Sequence, residues 1–285
     1  MPAEPPVVSP ASLRDAFALL DAEPRTPIAG GTDLMVRISA ELGPLPPRIL
    51  DLSRLDDLRG IALDREAITL GALTTYTEIR ASPLCREHLP ALVDASATIG
   101  AAQIQNRGTL GGNIANASPA GDSLPVLLAM DAEIVVGGVS GERSVPARSF
   151  WTAYRETALA SGELILRIRI PLAPGREVRF RKVGTRRAQA ISKVVAAVAW
   201  RDHGRGAGWT DVRVGLGSVA ATPIRVGAAE LVLERSRPTP ETADAAAQAL
   251  ADAIEPIDDV RSTADYRRMV AARVLHRIVR DAGGW

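Results

Sequence analysis

Cysteine is nearly absent from this sequence: Cys85 is the one thiol in 285 residues. An internal disulfide is thereby excluded, and so is an iron–sulfur cluster held by this chain alone, which needs about four thiolates. Histidine is almost as scarce. His88, His203 and His276 lie far apart and none falls in a zinc-ligand spacing, so they read as surface or packing residues. Cys85 stands beside Arg86 and near His88, neighbours that favour a reactive thiol, although a partly buried cysteine is the plainer reading. No apolar run approaches the roughly 18 residues of a spanning helix. The start, MPAEPPVVSP, lacks the charged and apolar regions of a signal peptide, so the expected compartment is the cytoplasm. Charge of one sign is lacking too. The 34 Lys+Arg against 33 Asp+Glu leave +1, and no basic field points to nucleic acid or an anionic membrane.

What remains is a chain that is 46% hydrophobic and long enough for two domains. Ser12 precedes Leu13, Ala16, Phe17 and Leu20, a capping residue followed by helical spacing. Thr26 to Ala29 then reads as a strand that runs through Gly30-Gly31-Thr32-Asp33 into a helix over Leu34 to Leu42. Strands are expected at Arg48 to Leu52 and Ala67 to Leu73, a helical turn at Thr75 to Arg80, and a helix at Leu89 to Ile99. Residues 103 to 122, QIQNRGTLGGNIANASPAGD, lose regular periodicity and read as a long polar loop, of the kind that usually carries function. Asp122 stands where it would cap a helix over Ser123 to Met130, and strands follow at Ala132 to Val136 and Leu164 to Ile170. PLAPG, from Pro171 to Gly175, marks the expected domain boundary. Beyond it come three β-rich segments, Val178 to Val183, Lys193 to Trp200 and Asp211 to Val219. Three helical segments follow, Ile224 to Arg235, Pro240 to Ile254 and Thr263 to Asp281.

Two glycine pairs carry the chemistry. Consecutive glycines without side chains let main-chain N–H groups converge on an anion, and Gly30-Gly31-Thr32-Asp33 leads into a helix whose dipole adds to the effect. Thr109-Leu110-Gly111-Gly112-Asn113 repeats the device with hydroxyl and amide donors, so the two loops suit one diphosphate held from both sides. Neither contains GxGxxG or the Walker lysine, which disfavours a Rossmann or P-loop site. Taken singly, a Gly-Gly pair in a chain with 24 glycines is a turn. Taken together, these loops hold more polar groups than turns use, and a ligand would satisfy them.

At Ile28-Ala29-Gly30-Gly31-Thr32-Asp33-Leu34 and from Arg107 through Asp122 the sequence resembles the paired FAD motifs of the flavin subunits of xanthine dehydrogenase and carbon monoxide dehydrogenase. The likeness continues through Phe180 to Lys193 and Gly215 to Pro223, and so spans nearly the whole chain. It implies an α+β protein: a p-cresol methylhydroxylase-type FAD-binding domain of two α+β subdomains over 1–173, then a smaller C-terminal domain of antiparallel sheet plus helices over 174–285. It further implies that Ile28, Ala29, Gly30, Gly31, Thr32 and Asp33, with Thr109, Leu110, Gly111, Gly112 and Asn113, contact the diphosphate and adjoining ribityl, and that Leu34 and Asn116 also belong to the cofactor-binding set. Asp122 falls at the carboxylate position that hydrogen-bonds the cofactor, and Ile99 and Ile165 at apolar neighbours of it. Lys182 matches a basic residue of the family site, where a cation favours reduced, anionic flavin.

Read from the residues alone, Asp122 is a helix cap, Lys182, Arg186 and Arg187 are a solvated basic face, and Ile99 and Ile165 are core. Animal xanthine dehydrogenases carry acidic residues after the paired arginines, where this chain has Ala188-Gln189-Ala190, so NAD specificity does not carry over. No histidine or cysteine is placed for a covalent flavin link, which implies non-covalent FAD. The implied partners are an iron–sulfur small subunit carrying 2Fe-2S clusters and a large subunit carrying the molybdenum cofactor, in a dimer of heterotrimers with NAD or oxygen as electron acceptor. With no acid–base set visible, no residue reads as catalytic. The rival readings are a self-contained FAD oxidoreductase of the same fold and a cofactor-free interaction module.

Overall fold

The structure is a computed structural model that describes residues 5–186, 189–204 and 207–285. Arg187 and Ala188 of the basic stretch, and the first four residues of MPAEPPVVSP, lie outside the described residues. The chain opens with β1 (Val7–Val8), α1 (Leu13–Ala22), β2 (Thr26–Ile28), α2 (Leu34–Ser39) and β3 (Ile49–Asp51). The three strands form a parallel sheet in the order β1-β3-β2. Ser12 caps α1 by accepting the Asp15 N–H at 3.1 Å. Ala16 and Leu20 on that helix pack with Leu50, Leu52, Leu55 and Leu58. Helix α2 stops at Ser39 rather than Leu42, because Glu41 and Gly43 take left-handed φ of 51° and 103° and Pro44, Pro46 and Pro47 follow. It buries none of its residues.

A second unit contains β4 (Ile61–Leu63), β5 (Ala67–Gly71), α3 (Tyr76–Ala81), α4 (Pro83–His88), α5 (Pro90–Thr98), α6 (Ala102–Arg107), α7 (Leu110–Asn116), α8 (Leu124–Ala129), β6 (Glu133–Gly138), β7 (Gly141–Pro146), β8 (Trp151–Ala153), β9 (Glu156–Thr157) and β10 (Leu164–Pro171). Its antiparallel sheet runs β4-β5-β10-β6-β7, while β8 and β9 form a separate hairpin. The stretch expected as a long loop is corrected here: residues 102–116 form two short helices, α6 and α7. Low hydrophobic periodicity hid them, because only Leu110 and Ile114 of α7 form an apolar repeat, both fully buried, among glycines and amides, and main-chain bonds to distant residues add to their hold. Leu110 N–H donates to Thr74 O and Gly111 N–H to Ala72 O, both at 2.9 Å.

That approach requires Gly111, since a β-carbon built there would lie 2.7 Å from Ala72 O. Gly111→Ala is therefore expected to cost about 1–3 kcal/mol of stability through overpacking, read as a lower midpoint in urea unfolding; an unchanged midpoint would mean that α7 is not pinned there.

The last part contains β11 (Arg176–Val183), β12 (Val194–Arg201), β13 (Thr210–Gly217), β14 (Ile224–Arg225), α9 (Gly227–Leu233), α10 (Pro240–Ala253) and α11 (Ala264–Gly283). The helix expected from Ile224 begins only at Gly227, because Ile224 and Arg225 first pair with Leu216 and Gly215 as β14, closing the antiparallel sheet β11-β12-β13-β14. Strand β12 reads VVAAVAW without alternation because both of its faces are covered. Val195, Ala197 and Ala199 join the core of the second unit, and Val194, Ala196, Val198 and Trp200 face α9, α10 and α11. One sheet thus cements the two halves of the molecule. Among the described residues no helix is long and apolar enough to cross a membrane.

Candidate functional site

Strand β2 delivers Ile28 and Ala29 to the first glycine turn, which lies directly against the second motif. A β-carbon on Gly30 would sit 1.7 Å from Arg107 O, so only glycine allows the two segments to touch. Gly31 takes a left-handed φ of 75°. The first helical bond, Met35 N–H to Gly31 O at 2.8 Å, comes after the turn. No main-chain N–H from Gly30 to Leu34 donates to a protein acceptor among the described residues. These five consecutive donors, with the Thr32 hydroxyl beside them, form a concentration of unmet hydrogen-bonding capacity of the kind that binds anions.

The second motif behaves differently. The N–H groups of Leu110 and Gly111 are spent on Thr74 and Ala72. Gly112 donates to Thr109 Oγ1 at 3.1 Å, and Asn113 to Thr109 O at 3.0 Å. Its contribution is a rigid wall with side chains on it. Ser123 Oγ donates to Asn113 Oδ1 at 2.7 Å, and Asn116 Nδ2 reaches across to Asp33 Oδ1 at 2.9 Å. The two motifs expected to act together are thus joined at Gly30–Arg107 and at Asp33–Asn116. Partial burial raises the Asp33 carboxyl above its ordinary value, with Arg155 pulling the other way.

Asp122 does not cap α8: the capping position belongs to Ser123, whose side chain makes no cap bond. Instead Asp122 Oδ2 accepts from Lys182 Nζ at 2.5 Å, and Lys182 also donates to Thr98 O at 3.0 Å. The side chains are 8% and 10% exposed, so Lys182 is no part of a solvated face. Asp122 Oδ1 is buried with no partner. Burial lifts this carboxyl to about 6 against the opposing pull of Lys182. Elements after residue 173 fix the segment from behind: Ser218 N–H donates to Pro119 O at 2.8 Å and Ser192 Oγ to Ala120 O at 3.3 Å. Arg267, 4% exposed, in turn holds Ser218 O at 2.8 Å. Arg186 donates to Gln189 O.

Ile99 is half-buried at the end of α5, where its carbonyl accepts from Gln105 Nε2 at 3.0 Å. Ile165 lies in β10 opposite Val136 and is 6% exposed within the second unit's core. Sequence reasoning passed over Thr98, Ser192, Ser218, Arg267 and Arg155. The first four act through main-chain contacts between distant segments, which leave no local signature. Arg155 sits at a hairpin tip in a Tyr-Arg pair that by itself reads as an ordinary turn.

A buried carboxylate oxygen without a donor and a run of N–H groups without acceptors are what a dinucleotide's N–H and hydroxyl donors and its diphosphate would satisfy; the residues present therefore fit FAD. Comparison with known proteins agrees. The family model of the FAD binding domain in molybdopterin dehydrogenase matches residues 3–173, and that of the CO dehydrogenase flavoprotein C-terminal domain matches residues 179–282. The chain is 31% identical over 277 residues to the carbon monoxide dehydrogenase medium chain of Hydrogenophaga pseudoflava, covering 96% of this chain and 95% of that one. It is 30% identical over 283 residues to the xanthine dehydrogenase FAD-binding subunit of Escherichia coli O157:H7, covering 96% of each. Among solved structures, the H. pseudoflava carbon monoxide dehydrogenase superposes with a TM-score of 0.92 at 31% identity, over 97% of this chain and 96% of that one.

Proposed function

The chain belongs to the FAD-binding subunits of the molybdopterin dehydrogenase family, and on that premise we propose that it relays electrons from the 2Fe-2S clusters of a small partner subunit, through non-covalent FAD, to NAD, oxygen or another acceptor. The large partner would carry the molybdenum cofactor and the substrate. We assign FAD binding to residues 1–173 and a supporting role to residues 174–285, with a dimer of heterotrimers in the cytoplasm as the working assembly. FAD, when bound, supplies reversible redox chemistry in both one- and two-electron steps.

The residues of this chain bind and orient. Gly30 to Leu34 would take the diphosphate on their N–H groups, with Ile28 and Ala29 setting the approach and Thr32 adding a hydroxyl. Leu110, Gly111 and Gly112 hold the opposite wall, from which Thr109, Asn113 and Asn116 present polar groups. Asp122 Oδ1 would accept a hydrogen bond from the cofactor. Lys182 keeps a positive charge within the site, and Ile99 and Ile165 supply apolar surroundings. The observation that carries this reading is the row of unengaged N–H groups from Gly30 to Leu34, facing a second motif that glycine alone lets come so close.

Dependence on partners is supported by Cys85, which is fully buried and is the chain's one thiol, and by β12 at the heart of the C-terminal sheet, both of whose faces are taken up by core packing. These features favour a relay subunit over a self-contained oxidoreductase. Purified from cells that supply FAD, the chain should be yellow and release its flavin on acid denaturation. It should turn over no organic substrate until the iron–sulfur and molybdenum chains are added. A colourless protein that takes up no added FAD, or turnover by the chain alone, would overturn the reading.

A further inference from the structure

A third element reaches the paired glycine motifs. The β8–β9 hairpin ends at Tyr154 and Arg155, and Arg155 adopts a left-handed φ of 57°, an uncommon conformation for a non-glycine residue. Its Nη1 donates to Asn116 Oδ1 at 3.0 Å, and Asn116 Nδ2 donates in turn to Asp33 Oδ1 at 2.9 Å. The Asn116 amide is thereby oriented as a relay, its oxygen toward the cation and its nitrogen toward the anion. On the other side of Arg155 the Tyr154 ring lies 5.8 Å from the guanidinium carbon.

Asp33 poses an electrostatic difficulty. Its carboxylate stands among the N–H donors assigned to a diphosphate, and two negative groups at such range repel unless a cation is near. Arg155 is the cation that the structure brings to Asp33 through Asn116. We propose that Arg155 is a positioning residue for FAD, offsetting the Asp33 charge and locking the two glycine motifs together so that the first can accept a diphosphate. Arg155 then acts through Asn116 and Asp33, and no contact between it and the cofactor is needed. This inference rests on the FAD reading above.

The experiment is an FAD titration of the full-length apoprotein, followed by quenching of flavin fluorescence, for the wild type, Arg155→Met, Asp33→Asn, the double variant and Arg155→Lys. The three substitutions fall at two exposed residues, 33 and 155, and circular dichroism checks that each chain is folded. Arg155→Met should weaken binding about tenfold, the scale of one partly screened charge pair. Asp33→Asn keeps the oxygen that Asn116 binds but removes the charge, so the double variant should bind within about twofold of Asp33→Asn alone. Arg155→Lys should recover part of the loss. If Arg155→Met binds as the wild type does, or if the double variant remains as weak as Arg155→Met, the charge-offsetting role is wrong while the FAD reading stands. A wild-type chain that binds no FAD overturns both.

Discussion

Valine in place of Gly30 should give a folded chain that retains no FAD through purification. The position of any β-carbon at residue 30, 1.7 Å from Arg107 O, lies inside the van der Waals envelope of a main-chain atom, and no rotamer relieves it. One of the two motifs must move. The turn is the part free to do so, because α2 beyond it buries no residue and so does not anchor it, whereas α7 is bonded to Ala72 and Thr74 and α6 to α3 through Thr77 and Asn106. Displacing the turn carries the five N–H groups away from Thr109 and Asn116 while leaving the three cores intact. At about 3 kcal/mol, the upper end of overpacking costs, affinity falls roughly 100-fold. The ratio of flavin to protein absorbance after gel filtration measures it, with the unfolding midpoint as control. Retention of flavin at the wild-type ratio would show that contact between the motifs is not required.

Asp122 should make the stability of the apoprotein depend on pH in an unusual direction. Its carboxyl titrates near 6 in the folded chain, against 3.8 ordinarily. Between those values the folded state holds more protons than the unfolded one, so stability falls as pH rises from about 4 to about 6 and is then level, by roughly 3 kcal/mol in all. Most other acids of the chain that shift at all shift downward, among them Asp211 beside Arg176 and Arg213, and they add the opposite slope. Comparison with Asp122→Asn isolates the contribution: the difference in unfolding free energy between the two proteins should change across that window and be constant above it. FAD should flatten the effect. A donor to Oδ1 favours the ionised carboxylate, which lowers its pKa, and FAD affinity should therefore climb as pH rises through 6. Parallel pH profiles for the two proteins, with or without FAD, would refute the assignment of Asp122 as a buried, cofactor-facing carboxylate.

The legible parts of this protein are those governed by local rules. The cap at Ser12 and the strand into Gly30-Gly31 act within a few residues, and so they appear in the sequence at once. The segment from 103 to 122 misled because glycines and amides dilute its one short apolar repeat, Leu110 and Ile114, and because α7 is also pinned by the distant carbonyls of Ala72 and Thr74. Ile224 misled because a two-residue strand is defined by its partners Leu216 and Gly215. Asp122 was legible as an acid at the head of a helix, but its partner Lys182 lies 60 residues away, and nothing local distinguishes a cap from half of a buried ion pair.

By itself the sequence determined that this chain has a single cysteine, too few thiolates to ligate an iron–sulfur cluster alone, and that it bears two glycine motifs suited to an anion. Those are matters of residue inventory and backbone freedom, which no tertiary contact alters. Tertiary structure decided how the motifs share the work: free N–H groups on the first, a wall with spent donors on the second, and a charge chain from Arg155 through Asn116 to Asp33 between them. It decided that Lys182 is buried and not solvated. Hydrogen-bond satisfaction and the dielectric around a charge depend on which distant segments pack together, and the fold alone specifies that.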